Sequence, residues 1–389
     1  MKNPTILFFL IVIALMALIT ILTVKLLAQL CPEKQQKKAT LTVVALNVLA
    51  ILGIAGSKSL FGDFAFAGEL LQLLVIWFIF QLFAVALSAV WRGLCFVWRK
   101  LALEDVPLDE SKRQFCRQAA YLPVAAACGI SLYGSLDESQ RIETVLQDIR
   151  LPRLPSGMKG FTMAQLSDVH LGYFFSLEKL EATLGQIAAN KPDVLLITGD
   201  LFDDRQHNAA AVKMVDSYVK AFPKGIYFCW GNHEYMRGAE EIAAALAQTS
   251  IKVLRDEAAL LLTGVRPLYL LGTDYPLDRS KNQAEQCSES LAHALEDVPD
   301  NAVKILMAHH SIFIDPAFAS GVDLTLTGHT HGGQLGLFGV PLVPLFKYTR
   351  GMYRQGNLYG YVNSGAGSWC PFRFGCPAEI TYFSLQAQT

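Results

Sequence analysis

No histidine precedes His170 in this chain of 389 residues, and all eight lie from that point onward. Imidazole chemistry, whether as metal ligand or as acid and base, is therefore confined to the later part of the chain. An excess of either charge is also missing: 33 Lys and Arg stand against 34 Asp and Glu, a net charge of −1. Without a basic excess, no nucleic-acid partner is expected. A dense disulfide framework is absent too, since the eight cysteines are scattered from Cys31 to Cys376. Cys370 and Cys376, in CPFRFGC, are spaced to pair if the domain is oxidised; two free buried thiols are the other reading. No internal repeat or low-complexity tract occurs.

Charge itself is missing from several long stretches. Residues 5–24, 41–57, 70–91 and 118–134 contain no Asp, Glu, Lys or Arg. A bilayer core needs roughly 17–25 apolar residues in a helix, so residues 1–135 read as a membrane domain of about four transmembrane helices. A cleaved signal peptide would need a small-residue cleavage site followed by soluble sequence, which the first run lacks. Basic residues set the orientation. Lys25, Lys34, Lys37 and Lys38 fill the first loop, and Arg92, Arg99, Lys100, Lys112, Arg113 and Arg117 the third, whereas the second is nearly neutral. Loops one and three are thus expected in the cytoplasm. The protein would then be a multi-pass inner-membrane protein with its carboxyl-terminal domain extracytoplasmic. Residues 111–117, SKRQFCR, resemble a twin-arginine export signal with Lys112 in place of the first arginine. They read equally as a cytoplasmic basic flank, and either reading gives the same orientation.

Residues 136–160 are polar, with Pro152, Pro155 and Gly157, and read as a linker that starts with a helix over 138–149. From 161 to 389 short apolar strands alternate with helical stretches. The strands are expected at 161–166, 193–198, 225–230, 251–254, 267–272, 303–308, 323–327, 359–363 and 379–384, and the helices at 176–190, 208–221 and 238–248. Ser176 is a reasonable N-cap for the first helix. Such alternation predicts an α/β domain with a covered sheet.

The ends of these strands carry the chemistry. After 161–166 come Asp168 and His170; after 193–198, Gly199 and Asp200; after 225–230, Gly231, Asn232, His233 and Glu234. His309 and His310 follow 303–308, and the run TLTGHTHGGQ puts His329 and His331 after 323–327. Open α/β sheets bind ligands at the carboxyl ends of their strands, and glycine lets the backbone turn sharply there. Asp168, His170, Asp200, Asn232, His309, His329 and His331 offer oxygen and imidazole donors without thiolate, a set suited to Mn, Fe or Zn. They are too many for one tetrahedral ion, and fit two divalent metal ions sharing a carboxylate.

In this order, D-x-H, G-D, G-N-H-E, a later His and G-H-x-H resemble the calcineurin-like metallophosphoesterases over about 161–384. GHTHGGQ is similar to the membrane-anchored bacterial branch, the transmembrane metallophosphoesterases. The resemblance implies a two-sheet β-sandwich flanked by helices. It implies that Asp168, His170 and His331 hold one metal, that Asn232, His309 and His329 hold the other, and that Asp200 bridges them. His233 would be the catalytic residue at the phosphate. Ser311 stands where the family often has proline, so choosing His309 over His310 rests on strand register.

Taken singly, these residues have ordinary readings. His310 is expected to be a packed histidine, Glu234 a helix cap, and Asp203 and Asp204 solvated loop acids. Asn363, Ser364 and Gly365 are expected to form a tight turn near the site. Phe174, Phe175, Tyr348 and Tyr353 either line a lipid-facing rim or pack in the core. The expected function is a membrane-anchored, metal-dependent phosphoric ester hydrolase whose partners are the lipid bilayer and a phosphorylated, envelope or lipid-linked substrate. Within that class the alternative is a pyrophosphatase of a UDP-linked lipid A precursor, which needs a cytoplasmic site. Outside it, the alternative is a non-catalytic metal-binding membrane protein.

Overall fold

The computed structural model describes residues 4–60, 67–101, 110–152, 154–278, 282–368 and 370–387. The chain divides into two compact units, Met1–Asp137 and Glu138–Thr389.

The first unit is helical: α1 Pro4–Leu30, α2 Glu33–Leu60, α3 Ala67–Leu101, α4 Glu110–Ala119 and α5 Leu122–Tyr133. Pro32 separates α1 from α2, because its ring has no N–H to continue the ladder and disfavours a helical residue before it. Three stretches among the described residues are long and apolar enough to cross a membrane, Ile13–Leu30, Gly68–Leu101 and Arg113–Glu138. The first overlaps the run expected at 5–24 and the other two contain those at 70–91 and 118–134, so three of the four expected spans are matched among the described residues. The second run, 41–57, lies inside α2, whose side chains from 53 to 60 fall outside the described residues. Buried Asn47 of α2 ties this unit together. Its amide donates to Thr20 Oγ1 at 2.7 Å and Gln81 Oε1 at 2.9 Å, and its carbonyl accepts from Trp77 Nε1 at 2.6 Å and Gln81 Nε2 at 2.9 Å. Polar side chains that satisfy one another between helices are the interhelical contacts that lipid, itself apolar, cannot replace.

The second unit is a sandwich of two six-stranded sheets. The first has the order β1 (Ile142–Leu151), β14 (Ala378–Ala387), β2 (Thr162–Leu166), β3 (Val194–Thr198), β4 (Ile226–Cys229), β5 (Lys252–Val253). The second runs β12 (Gly351–Gln355), β13 (Leu358–Val362), β9 (Leu324–Thr327), β8 (Val303–Met307), β7 (Leu268–Gly272), β6 (Glu257–Leu262). A short hairpin, β10 (Gly336–Leu337) with β11 (Val340–Pro341), lies apart from both. Strands β2 to β5 are mutually parallel, as are β7, β8, β9 and β13. Met163, Leu196 and Tyr227 of one sheet join Leu270, Ile305, Leu326 and Tyr361 of the other in the central core. The outer faces are covered by helices. Leu180 and Leu184 of α6 (Leu177–Ala189), Val212 of α7 (Asn208–Ser217) and Ile242 of α9 (Ala239–Leu246) pack on the first sheet. Leu291 of α10 (Gln283–Leu295) and Ala317 of α11 (Ile314–Ala319) pack on the second. Ser176 caps α6, accepting from the Lys179 amide.

One expectation is overturned. Residues 138–149 do not form a helix. From Ile142 they build β1, which pairs in parallel with β14 along its whole length, from Ile142↔Ala378 to Leu151↔Ala387. The Glu, Gln and Arg of this stretch suit a helix by propensity. Alternate burial wins instead, because Ile149 and Leu151 enter the central core while Leu146 faces outward. Strands β6 and β12 and helices α10 and α11 are further elements that periodicity did not reveal.

This alternation predicts that Ile149→Ala will lower the unfolding free energy of the purified chain by about 2–5 kcal/mol. Leu146→Ala, three residues away on the outer face, should change it by less than about 0.5 kcal/mol. Denaturant titration of the two variants checks the pair.

Candidate metal centre

Parallel strands end together, so the loops after β2, β3 and β4 in one sheet meet those after β8 and β9 in the other. Asp168 and His170 follow β2, Asp200 follows β3, and Asn232 and His233 open the short helix α8 (Asn232–Met236) after β4. His309 follows β8, and His329 and His331 follow β9. Five of these residues hold left-handed backbone: Asp168 (φ 50°), His170 (51°), Asp200 (53°), His329 (71°) and His331 (50°). Each costs roughly 1–3 kcal/mol outside glycine. That strain turns the chain back on itself so that side chains aim at one point. Two glycines act through close approach. A Cβ on Gly231 would collide with Asp200 Oδ1, and one on Gly328 with Asp168 Oδ2.

The side chains converge tightly. His170 Nε2 is 3.0 Å from His331 Nε2, and His309 Nε2 is 3.1 Å from His329 Nδ1. Asp200 Oδ2 lies 3.2 Å from His309 Nε2, 3.7 Å from His170 Nε2 and 4.0 Å from His233 Nε2. Asp168 Oδ1 lies 3.6 Å from His331 Nε2 and 4.0 Å from both His170 Nε2 and His309 Nε2. Three overlapping groups result, each able to hold a metal ion: Asp168, His170 and His331; His170, Asp200 and His233; Asp200, His309 and His329. Asn232 adds a buried Oδ1 with no hydrogen-bond partner. A buried acceptor left bare costs about 1–3 kcal/mol, and a cation would satisfy it. His309 donates from Nδ1 to the Thr198 carbonyl at 2.8 Å, leaving Nε2 free to face the cluster. The donor set therefore fits divalent metal.

Electrostatics say the same. Burial lowers the pKa of His170 and of His331 to about 3, so both rings are neutral, with lone pairs available. His329 is lowered by burial and by its neighbours His309 and His310. For His309, burial works against the charge, but Asp200 and Asp168 outweigh it and raise its pKa to about 10. The Asp200 carboxyl is held well below its usual range, burial being overcome by His309. The two carboxylates thus favour a positive charge at the point His309 Nε2 faces.

The surrounding residues include several that motif reading missed. Asp203 was expected to be a solvated acid. Instead its Oδ1 accepts from His233 Nδ1 at 2.9 Å and from Arg237 Nε at 2.7 Å. It thereby orients His233, whose pKa is raised: burial lowers it, but the Asp203 hydrogen bond and the Asp200 charge win. Asp204 is likewise engaged, capping a short turn through the Gln206 amide and meeting His207 Nδ1 at 3.2 Å. Glu234 caps α8 as expected and does more. Its carboxylate accepts from Gly231 N at 2.8 Å, Asp200 N at 2.9 Å and Leu201 N at 2.8 Å, which locks the loops after β3 and β4 together. Tyr275 lays its ring beside His309, His310 and His329. Fully buried Arg373 donates to the carbonyls of Ser364 and Gly367 at 2.7 and 2.6 Å, fastening the loop beneath His331. A lone Arg, Tyr or Asp outside a motif carries no signal in one sequence.

The remaining expectations are met or revised by packing. His310 accepts from the Ile312 amide and stacks 4.3 Å from the His329 ring. Asn363 Oδ1 accepts from Gly365 N at 2.7 Å, forming the tight turn, with Gly365 against Asp168 and His331. Phe175 is core rather than rim, and Tyr348 and Tyr353 pack edge to face with each other at 4.7 Å. Cys370 and Cys376 are both free thiols, and Cys376 Sγ lies 3.3 Å from the His331 carbonyl.

The pattern of the calcineurin-like phosphoesterase family matches residues 161–333. YkuE of Bacillus subtilis (strain 168), an uncharacterized metallophosphoesterase, is 30% identical over 290 residues, covering 71% of this chain and 98% of its own. The chain belongs to the calcineurin-like phosphoesterase family. It is a metal-dependent phosphoesterase with a His/Asp site of the two-metal type. The transmembrane protein with metallophosphoesterase domain of Bos taurus is 28% identical over 295 residues, 72% of this chain and 65% of that one. The phosphodiesterase YaeI of Escherichia coli (strain K12) is 28% identical over 284 residues, 71% of this chain and 99% of that one.

Metal binding to this phosphoesterase should be proton-linked. With its pKa raised to about 10, His309 is expected to be protonated at neutral pH without metal, and only the neutral ring can ligate. Binding is expected to release about one proton, and apparent affinity to rise about tenfold per pH unit up to that pKa. In the metal-free protein the raised pKa stabilises the fold below the ordinary value of 6.5, and this contribution is lost as pH rises through about 10. Calorimetric Mn²⁺ titration in buffers of different ionisation enthalpy measures the proton count.

Proposed function

We propose that the protein is a membrane-anchored hydrolase of phosphate esters or pyrophosphates, acting on an envelope or lipid-linked substrate with two divalent ions drawn from Mn, Fe and Zn. The observation that carries the reading is the position of Asp200. Its Oδ2 is the oxygen within 4.0 Å of His170, His233 and His309 together, as a shared carboxylate between two ions requires. On this reading Asp168, His170 and His331 hold one ion, Asn232, His309 and His329 hold the other, and Asp200 bridges them.

Paired divalent ions held by these residues would supply charge stabilisation of phosphoryl oxygens and a lowered pKa for a water nucleophile. The chain's own residues do the rest. Glu234 holds the Asp200 amide and so fixes the bridging carboxylate. The Asp203 hydrogen bond takes the Nδ1 proton of His233 and leaves Nε2 facing the cluster. His233 can therefore stabilise a phosphoryl oxygen or protonate the leaving oxygen from that nitrogen. Burial works against the Asp203 charge, but the His233 hydrogen bond outweighs it and keeps the carboxyl ionised, while Arg237 Nε at 2.7 Å holds it in place.

The amino-terminal helices support the membrane anchor and the choice of substrate. A domain restricted to the bilayer surface meets lipid-linked phosphates at high local concentration. Asn47 ties α2 into the polar contacts that join α1 and α3, while Leu41, Leu49 and Leu52 of the same helix stay exposed. A helix with polar contacts inward and leucines outward suits lipid, so α2 is read as the further crossing. Four crossings, with the basic loops in the cytoplasm, put the catalytic unit outside.

Two experiments test this. Purified full-length protein should hydrolyse an aryl phosphodiester with added Mn²⁺ and not with chelator. Asp200→Asn and His233→Ala should each lower kcat by about 10²–10⁴-fold with unchanged thermal unfolding; near-normal rates would refute the assignment. For orientation, an alkaline phosphatase fused after Thr389 should be active, as it is only outside the cytoplasm. An inactive fusion with intact expression would give three crossings and a cytoplasmic site, which suits a nucleotide-linked substrate.

A further inference from the structure

We propose that residues 337–345 form a bilayer-contacting element of the catalytic unit, with apolar side chains seated among the acyl chains of the membrane that anchors it. The inference rests on reading the amino-terminal helices as spans, not on the reaction.

The segment begins just past His331 and reads GGQLGLFGVPLVPLF from Gly332 to Phe346, without a charged residue. Leu337, Phe338, Val340, Leu342, Val343 and Leu345 are all exposed, Phe338 by 95% and Leu345 by 79%. A soluble surface scatters such residues singly; a contiguous run marks a contact site. This run is not a frayed loop. Leu342 N donates to the Leu335 carbonyl at 2.8 Å, and Gly336 N to the Phe374 carbonyl at 2.6 Å, so the backbone is pinned while the side chains point out. At the tip of the β10–β11 hairpin, Phe338 and Gly339 hold φ of 51° and 80°. In water such a turn favours Asn or Asp before glycine, yet a bulky ring occupies the strained position at the most exposed point.

The other exposed large apolar side chains follow the same geography. Tyr173 and Leu277 lie in the loops after β2 and β7, and Met236 ends α8 after β4, on the edge where the metal ligands gather. Among the described residues of this unit, only Leu146, Leu260 and Val265 lie elsewhere. The segment also borders the metal centre at both ends: it follows His331, and Phe346 at its far end packs edge-on against His329 and His310 at 5.4 and 5.3 Å. An element of this kind brings the mouth of the site to the interface where a lipid-linked phosphate lies.

A bilayer is the occupant that the chain itself supplies. The third candidate span runs to Glu138, and β1 begins at Ile142, so the catalytic unit is tethered at a membrane surface by almost no chain. At that effective concentration even a weak apolar contact is populated. Lys347, the first charge after the segment, is exposed and paired with Asp315, as at a polar boundary.

The test is photolabelling of the full-length protein in phosphatidylethanolamine–phosphatidylglycerol vesicles containing a phospholipid with a diazirine in its acyl chain. Peptides are then mapped by mass spectrometry. The expected result is labelling of 335–346 several-fold above that of the peptide holding Val265, which is equally exposed on another edge. Phe338→Asp with Leu345→Asp should bring the segment down to the Val265 level and leave labelling of the helices unchanged. Labelled helices with 335–346 at the Val265 level would overturn the proposal and assign the patch to a protein partner or a second copy. Unlabelled helices would overturn the span reading and this proposal with it, while leaving the hydrolase reading to its own assay.

Discussion

Everything in the catalytic unit serves one constraint: imidazole and carboxylate lone pairs are forced to within 3.0–3.2 Å of each other in a buried site. Neutral rings such as His170 and His331 can share one proton at that distance, and a divalent ion would instead engage both lone pairs. Asp200 Oδ2, 3.2 Å from His309 Nε2, sets a carboxylate charge beside the rings. Five residues in left-handed conformation are held against their local preference to maintain this geometry. Strain of that kind persists only where the surrounding structure over-determines it.

The over-determination comes from the sandwich. Parallel strands deliver their carboxyl ends to one edge, and two sheets face to face double the number of loops that reach it. Hydrogen bonds then fix each loop to the next. Glu234 ties the β3 loop to the β4 loop, Asp168 accepts the His329 amide at 3.0 Å and so ties β2 to β9, and Arg373 gathers carbonyls around His331. None of these residues needs to touch substrate for its loss to disturb the metals, because moving one loop by a fraction of an ångström misplaces a donor.

The helical unit follows a different logic. Helices of this length and composition would gain nothing in lipid from burying apolar surface, since lipid is as apolar as leucine, and polar contacts inside are what would hold them together there. Asn47, Thr20, Trp77 and Gln81 form such a set, surrounded by exposed aliphatic residues. Among the described residues of the catalytic unit, exposed apolar side chains are densest between Leu337 and Leu345, the segment that follows the candidate ligand His331.

Much of this was legible in the chain alone. Charge-free runs, strands ending in Asp, Asn and His, and glycines beside them determined the helical unit, the α/β class and the set of candidate ligands, because those features act locally or through simple periodicity. Tertiary structure decided the rest. Residues 142–151 look helical by composition and became a strand because β14, distant in sequence, offers a ladder and a core for Ile149 and Leu151. Asp203 looks like a loop acid and became the partner of His233 because α8 starts at the end of β4, next to the loop after β3. His309 and His310 are adjacent and chemically identical; strand β8 turns one toward Asp200 and the other against Ile312. In each case the deciding free energy is a long-range contact, and a single sequence read along its length contains no trace of its partner.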